Sequence, residues 1–179
     1  MLSRWKKLSS RIIDKNPWWS YTLDSFKIPD GIEGKYYYVH TEGSSMVVPV
    51  LDDGRIVLVN QYRYLCDRES VEFPCGGVKP EHRYDEMARI ELEEEAGYLA
   101  RSLDLVGEFN PFNGVTDEIC KVFIARGLTK VQAKPESTEE FEMIMATPGE
   151  IDSMISKNVI WDGMTLAAWM LARKVFDDS

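Results

Sequence analysis

The stretch GGVKPEHRYDEMARIELEEEAGY, residues 76–98, decides how this chain folds. Residues 84–96 carry apolar positions at helical spacing and run into Gly97, a residue suited to the left-handed turn that closes a helix. On a helical wheel Ala88, Leu92 and Ala96 fall within an arc of about 80°, the face that packs inward. Glu91 and Glu95 lie about 40° apart beside that arc, Glu94 lies about 60° from Glu91, and Glu93 points away. Like charges one turn apart repel. Crowding Glu91, Glu93, Glu94 and Glu95 into five positions therefore has two readings. One is a solvated acidic face; the other is a cradle for a hard divalent cation, Mg2+ or Mn2+, which turns the repulsion into attraction. The pair Gly76-Gly77 favours the cradle. It follows a short strand directly and lets backbone groups approach a ligand closely.

The rest of the chain sets bounds on that reading. Its 179 residues suffice for one domain with a small appendage, and 44% hydrophobic against 28% charged residues is ordinary for a globular protein. A net charge of −9 argues against nucleic acid as a partner, which needs a basic face. Cys66, Cys75 and Cys120 are odd in number and lack metal-ligand spacing, which fits a reducing, cytoplasmic setting. Only His40 and His82 are available as imidazole ligands, too few for a His-built zinc site. No apolar run is long enough to span a bilayer and no signal peptide is evident, so no membrane partner is expected.

Residues 1–15 carry a net charge of +4, which leaves −13 on the remainder. Leu2, Trp5, Leu8 and Ile12 would share one face of a helix there; the plainer expectation is a docking or flexible terminal segment. Strands are expected at 20–28, 35–41, 71–74, 103–109, 119–127 and 141–147. A hairpin is expected around Asp52-Asp53-Gly54. Residues 152–157 read as a short helix, and 163–175 as an amphipathic closing helix with Asp162 as its N-cap. Strands and helices interspersed in this way predict an α/β fold with a mixed sheet covered by helices.

With its glycine and glutamates so spaced, residues 76–98 resemble the signature box of the Nudix hydrolases. In that pattern a Gly is followed after five residues by Glu, and seven residues later by Arg-Glu-apolar-any-Glu-Glu-any-Gly-apolar. Gly76, Glu91, Glu94, Glu95 and Gly97 match; His82 stands at the first Glu position and Ile90 at the Arg position, with Arg89 beside it. The segments NPWWSYTLDSFKIPDGIEGKYYYV, DDGRIVLVNQYRY, VEFPCGGV, NGVTDE and DGMTLAAWMLA fall in the order seen in the ADP-ribose pyrophosphatase branch, and together they cover nearly the whole chain.

That resemblance implies an α/β/α sandwich over 46–179 and a strand-rich dimerisation part over 1–45, giving a homodimer. It implies hydrolysis of a nucleoside diphosphate sugar to a nucleoside monophosphate and a sugar phosphate. The implied metal ligands are the Cys75 carbonyl, Glu91 and Glu95, with Glu94 as a further ligand or base. Arg63 would touch the diphosphate, and Glu72, Gly76 and Gly77 would line the substrate site. A late-loop acid, from Glu136, Glu139 and Glu140, would assist, with Glu139 favoured. Trp18, Trp19 and Tyr21 would stack on a base or pack an interface. Asn113 stands where the branch carries Pro, which leaves another nucleoside diphosphate sugar open beside ADP-ribose. The departures at His82 and Ile90 keep a second reading in view, a nucleotide-binding sensor with weakened catalysis; a scaffold protein is a third.

Overall fold

The computed structural model describes residues 2–135 and 137–176. Among these residues ten strands and three α-helices run in the order β1 (Lys6–Lys15), β2 (Ser20–Lys27), β3 (Glu33–His40), β4 (Ser44–Pro49), β5 (Ile56–Arg63), β6 (Arg68–Glu72), β7 (Cys75–Gly77), α1 (Tyr84–Ala96), β8 (Tyr98–Phe109), β9 (Cys120–Lys130), β10 (Glu142–Ala146), α2 (Pro148–Ser156) and α3 (Gly163–Ala172). They form three sheets: an antiparallel meander β1-β2-β3, a sheet ordered β10-β5-β6, and a mixed sheet ordered β7-β4-β9-β8. In the mixed sheet β4 runs parallel to β9 and antiparallel to β7. This is the expected mixed α/β architecture.

Alternation along the central strands builds the two cores. Met46, Val48, Ile56, Leu58, Val122 and Ile124 face one way, against Ile151 of α2 and Ala168, Trp169 and Ala172 of α3. Val47, Val57, Val59, Phe123 and Ala125 face the other way, against Ala88, Leu92 and Ala96 of α1. A strand buried on both faces reads as a continuous apolar run, and all six residues of β4 are buried. Helices on both sides of paired sheets give the α/β/α sandwich.

Several expectations need correction. Residues 6–15 form an exposed edge strand on β2, neither a helix nor a loose terminus. Its register shifts between Lys7 and Ser9 and again between Ile12 and Asp14. Such bulges break the two-residue alternation, so the strand period was hidden. The strands around Asp52-Asp53-Gly54 do not pair as a hairpin. One bridge, Val50 to Ile56, joins them before β4 and β5 enter different sheets. Helix α2 starts at Pro148, ahead of the expected 152, because Thr147 caps it: its side chain accepts from Glu150 N, and Glu150 accepts from Thr147 N at 2.7 Å. α3 stops at Ala172 and continues as a short 3-10 turn, Arg173–Phe176. By contrast α1 spans 84–96 as read, with Gly97 at φ 69° closing it, and Asp162 caps α3 by accepting from Thr165 N at 2.7 Å.

Candidate active site

Helix α1 is fixed over the mixed sheet before any functional group is placed. The Ser45 hydroxyl of β4 donates to the Tyr84 carbonyl at 2.7 Å, and Glu86 accepts from Arg83 N at 2.8 Å, which satisfies an exposed donor at the helix start. The buried face is Met87, Ala88, Leu92, Glu95 and Ala96. One carboxylate, Glu95, therefore enters the core with the apolar residues.

Glu95 is 5% exposed and its Oε2 accepts from the Cys75 amide at 3.0 Å. Burial, and then the neighbouring Glu91 charge, raise its pKa to about 9. The Cys75 N–H and Arg63 pull it down, while Glu139 pushes it up. Glu139 thus lies within electrostatic reach of Glu95, although the two are far apart in sequence. Glu91, one turn earlier, rests its carboxylate on Gly76. A Cβ built on Gly76 would sit 1.9 Å from Glu91 Oε1 and 2.1 Å from its Cδ. Only glycine leaves that space. The backbone of residues 75–76 therefore meets two carboxylates of α1.

Arg63, at the end of β5, pairs with the buried Glu72 of β6. Its Nε donates to Glu72 Oε1 at 2.8 Å and its second nitrogen reaches Oε2. Gln61 adds a longer contact to Glu72 at 3.5 Å. The hydrogen bonds to Glu72 hold the Arg63 guanidinium charged against its burial, helped by the fields of Glu72, Asp162 and Glu95. Half of the Arg63 side chain remains open to solvent, whereas Glu72 is nearly closed off. Beside this pair a cleft of about 650 Å³ is lined by Asn60, Gln61, Tyr62, Glu69 and residues 138–142, including Glu139 and Glu140. That volume lies in the usual range for small-molecule sites.

The structure thus brings Cys75, Gly76, Glu91 and Glu95 together, and sets Arg63, Glu72 and Glu139 near them. Gly77 follows at the end of β7, pairing with Ser44. Glu93 faces away and pairs with Lys134 at 2.9 Å. Among the described residues no three Asp, Glu, His or Cys side chains gather as a ready-made metal cluster, so Glu91, Glu94 and Glu95 do not form a closed trio. The donor set still fits a hard cation: two carboxylates meet beside a main-chain segment. One of them, Glu95, is held protonated by its burial and then by the other's charge, which a cation would relieve. Glu136 lies outside the described residues.

The remaining candidates sit elsewhere. Trp18 is 79% exposed, in the β1–β2 turn with Trp19, and Tyr21 on β2 stacks on Tyr37 with ring centres 6.0 Å apart. Asn113 is exposed in the β8–β9 loop. That loop docks on β3 through the Val39 amide to the Val115 carbonyl, at 2.9 Å. Arg89, beside Ile90, donates to the Ala100 carbonyl at 2.7 Å. His82 Nδ1 lies 3.9 Å from Glu86. Sequence reasoning missed Gln61 and Asp162 as neighbours of Arg63. Asp162 was legible only as a helix cap, and nothing in its spacing tied it to β5.

A Gly-carboxylate strand–loop–helix unit on this sandwich defines a class. The chain belongs to the Nudix family: residues 41–167 match the NUDIX domain. An ADP-ribose pyrophosphatase of Bacillus subtilis (strain 168) is 30% identical over 148 residues, 82% of this chain and 80% of that protein. A methanol dehydrogenase activator of Bacillus methanolicus is also 30% identical, over 82% of this chain and 80% of its own length. A solved structure described as an ADP compounds hydrolase has the same fold, with a TM-score of 0.86 at 16% identity, covering 99% of this chain and 97% of that one. Within the family the chain falls in the ADP-ribose pyrophosphatase branch and is a Nudix pyrophosphatase.

Proposed function

We propose that this protein hydrolyses the pyrophosphate bond of a nucleoside diphosphate sugar, with ADP-ribose as the first candidate, in a reaction that depends on Mg2+ or Mn2+. The observation that carries this reading is the meeting of Glu91 and Glu95 at the Cys75–Gly76 backbone. The Cys75 carbonyl, Glu91 and Glu95 would hold the cation, with Glu94 as a further ligand. When bound, it supplies positive charge against the diphosphate and polarises the attacking water.

The chain's own residues do the rest. Arg63, kept charged by Glu72, presents its open edge to a diphosphate oxygen and steadies charge on the leaving phosphate. Glu72 fixes that guanidinium in place. Glu139 or Glu140 on the cleft wall, or Glu94 on α1, takes the proton from water. Gly76 leaves room for Glu91, and Gly77 extends the backbone lining for the substrate. Asn113 stands in the loop that bears on sugar choice. With ADP-ribose the products are AMP and ribose 5-phosphate.

We also propose that residues 1–45 form a dimerisation part and 46–179 the hydrolase domain. Every residue of β1 is exposed, and Leu8, Ile12 and Ile13 present apolar surface there. A homodimer would cover this sheet and bring Trp18, Trp19 and Tyr21 within reach of a partner's substrate base. All three cysteines are free, in keeping with a cytoplasmic protein.

The test is a panel of nucleotide sugars and dinucleotides with Mg2+ or Mn2+, read as phosphate released by a coupled phosphatase, with Glu94→Gln and Glu95→Gln alongside. Turnover that survives both substitutions rejects the assignment of the carboxylates. Binding without turnover across the panel favours the sensor reading. Light scattering of the full chain against one lacking residues 1–45 tests the dimer.

A further inference from the structure

The end of β4 away from Cys75 opens into a second cleft, of about 580 Å³. Val50, which follows β4, bonds to the Ala125 carbonyl of β9 at 2.9 Å, and the next residue of β9 is Arg126. Arg126 lies opposite Ser102 of β8, so Arg101 lies opposite Gly127. Arg126 shares a face of the sheet with Ser102, and successive side chains along a strand alternate faces, which would send Arg101 to the opposite side. Gly127 changes that. Its φ is 63°, and Arg101 folds over it: a Cβ built on Gly127 would meet Arg101 Cβ at 3.0 Å and Nε at 3.1 Å. The absent side chain lets Arg101 reach the same cleft as Arg126.

Two carboxylates nearby are engaged elsewhere. Asp53 is held by Arg55 at 2.7 Å, and Glu150 by the Thr147 cap. Among the described residues neither Arg101 nor Arg126 forms an ion pair, and Asp52 is the one acidic residue on the cleft wall. Arg126 instead lies over the Phe176 ring, 6.0 Å from its centre. Leu51 and Pro148 complete an apolar side. Two guanidinium forks in a chain of net charge −9, without an ion pair to any carboxylate among the described residues, match a phosphate dianion, which accepts paired hydrogen bonds from each.

We propose that this cleft is a second ligand site, for a small organic phosphate of the nucleoside monophosphate kind, distinct from the carboxylate site at Cys75. The guanidiniums of Arg101 and Arg126 take the phosphate, and Leu51, Pro148 and Phe176 take the body of the molecule. The proposal does not depend on hydrolysis. Its test uses the full chain with EDTA present, titrated calorimetrically with adenosine monophosphate, ribose 5-phosphate and inorganic phosphate. The expected result is saturable binding of the nucleotide, tighter than that of inorganic phosphate. It should weaken about tenfold or more in Arg101→Gln and in Arg126→Gln, and persist in Arg63→Gln. In the wild-type protein, amide NMR shifts should concentrate at Gly54 and Gly127, a readout that needs no variant to fold. Binding lost in Arg63→Gln but kept in both cleft variants would overturn the proposal, as would equal affinity for inorganic phosphate or no saturable binding at all.

Discussion

Replacing Gly76 by alanine tests the cradle where its geometry is tightest. The new Cβ would lie 1.9 Å from Glu91 Oε1, whereas ordinary contact begins near 3.4 Å. The carboxylate must therefore retreat by about 1.5 Å. It can do so, because it is the end of a flexible side chain, so the fold should hold and the melting temperature should move by no more than a few degrees. Catalysis should not tolerate the shift. A misplacement of about 1 Å at a reacting centre costs on the order of 10²-fold in rate, and we expect kcat/KM on ADP-ribose to fall by about that factor. Gly149→Ala is the matched control, since its Cβ meets nothing within 4 Å; helix α2 should gain a few tenths of a kcal/mol to about 1 kcal/mol. The assay is steady-state turnover together with thermal melting for both variants. Wild-type turnover by Gly76→Ala would refute the reasoning, because Glu91 would then work from a displaced position. A collapse in stability with Glu91 unmoved would refute it equally.

Further outcomes follow from the same geometry. Glu95 has a folded-state pKa raised from 4.5 to about 9, so the cation-free protein binds a proton there that the unfolded chain releases above about 4.5. Stability from this group is therefore full below about 4.5 and is lost as pH rises toward about 9. Denaturant midpoints in EDTA should fall across that window, and Glu95→Gln should flatten the slope. At neutral pH, binding of Mn2+ should release close to one proton, seen as buffer-dependent heats in calorimetry; no release would contradict the assignment. Arg63→Ala strands the buried Glu72 and should cost roughly 2 kcal/mol in urea unfolding, below the value for a fully buried pair because Arg63 is half open. Adding Glu72→Gln should restore much of the loss, and additive losses would argue against the pairing. Thr147→Ala should cost about 1 kcal/mol through its cap.

Legibility in the sequence followed the range of the forces involved. Helix α1 was readable to the residue because its period, its apolar face and Gly97 act locally. The cap at Asp162 was local too. The start of α2 was missed even though Thr147 and Glu150 carry the spacing of a capping box, with Pro148 in the first turn. β1 was hidden by its bulges, and its pairing with β2 is tertiary. The site divides in the same way. That Glu91 and Glu95 flank the buried face could be read from the wheel, but the burial of Glu95 on the Cys75 amide depends on where β7 lies. The glycine pair was read as room for a ligand; at Gly76 the room is taken by Glu91. No local signal joined Arg63 to Glu72, or Glu139 to Glu95, because those meetings are made by sheet order and by a loop returning from far along the chain.

The central claim is tested most directly by locating Mn2+ through its anomalous scattering in crystals grown with the ion and a non-hydrolysable nucleoside diphosphate sugar. The account expects a peak bonded to Glu91, Glu95 and the Cys75 carbonyl, at about 2.1–2.3 Å from each oxygen by the usual reach of such cations. A fully occupied nucleotide with no peak at those oxygens, or a peak held only by other residues, would contradict it.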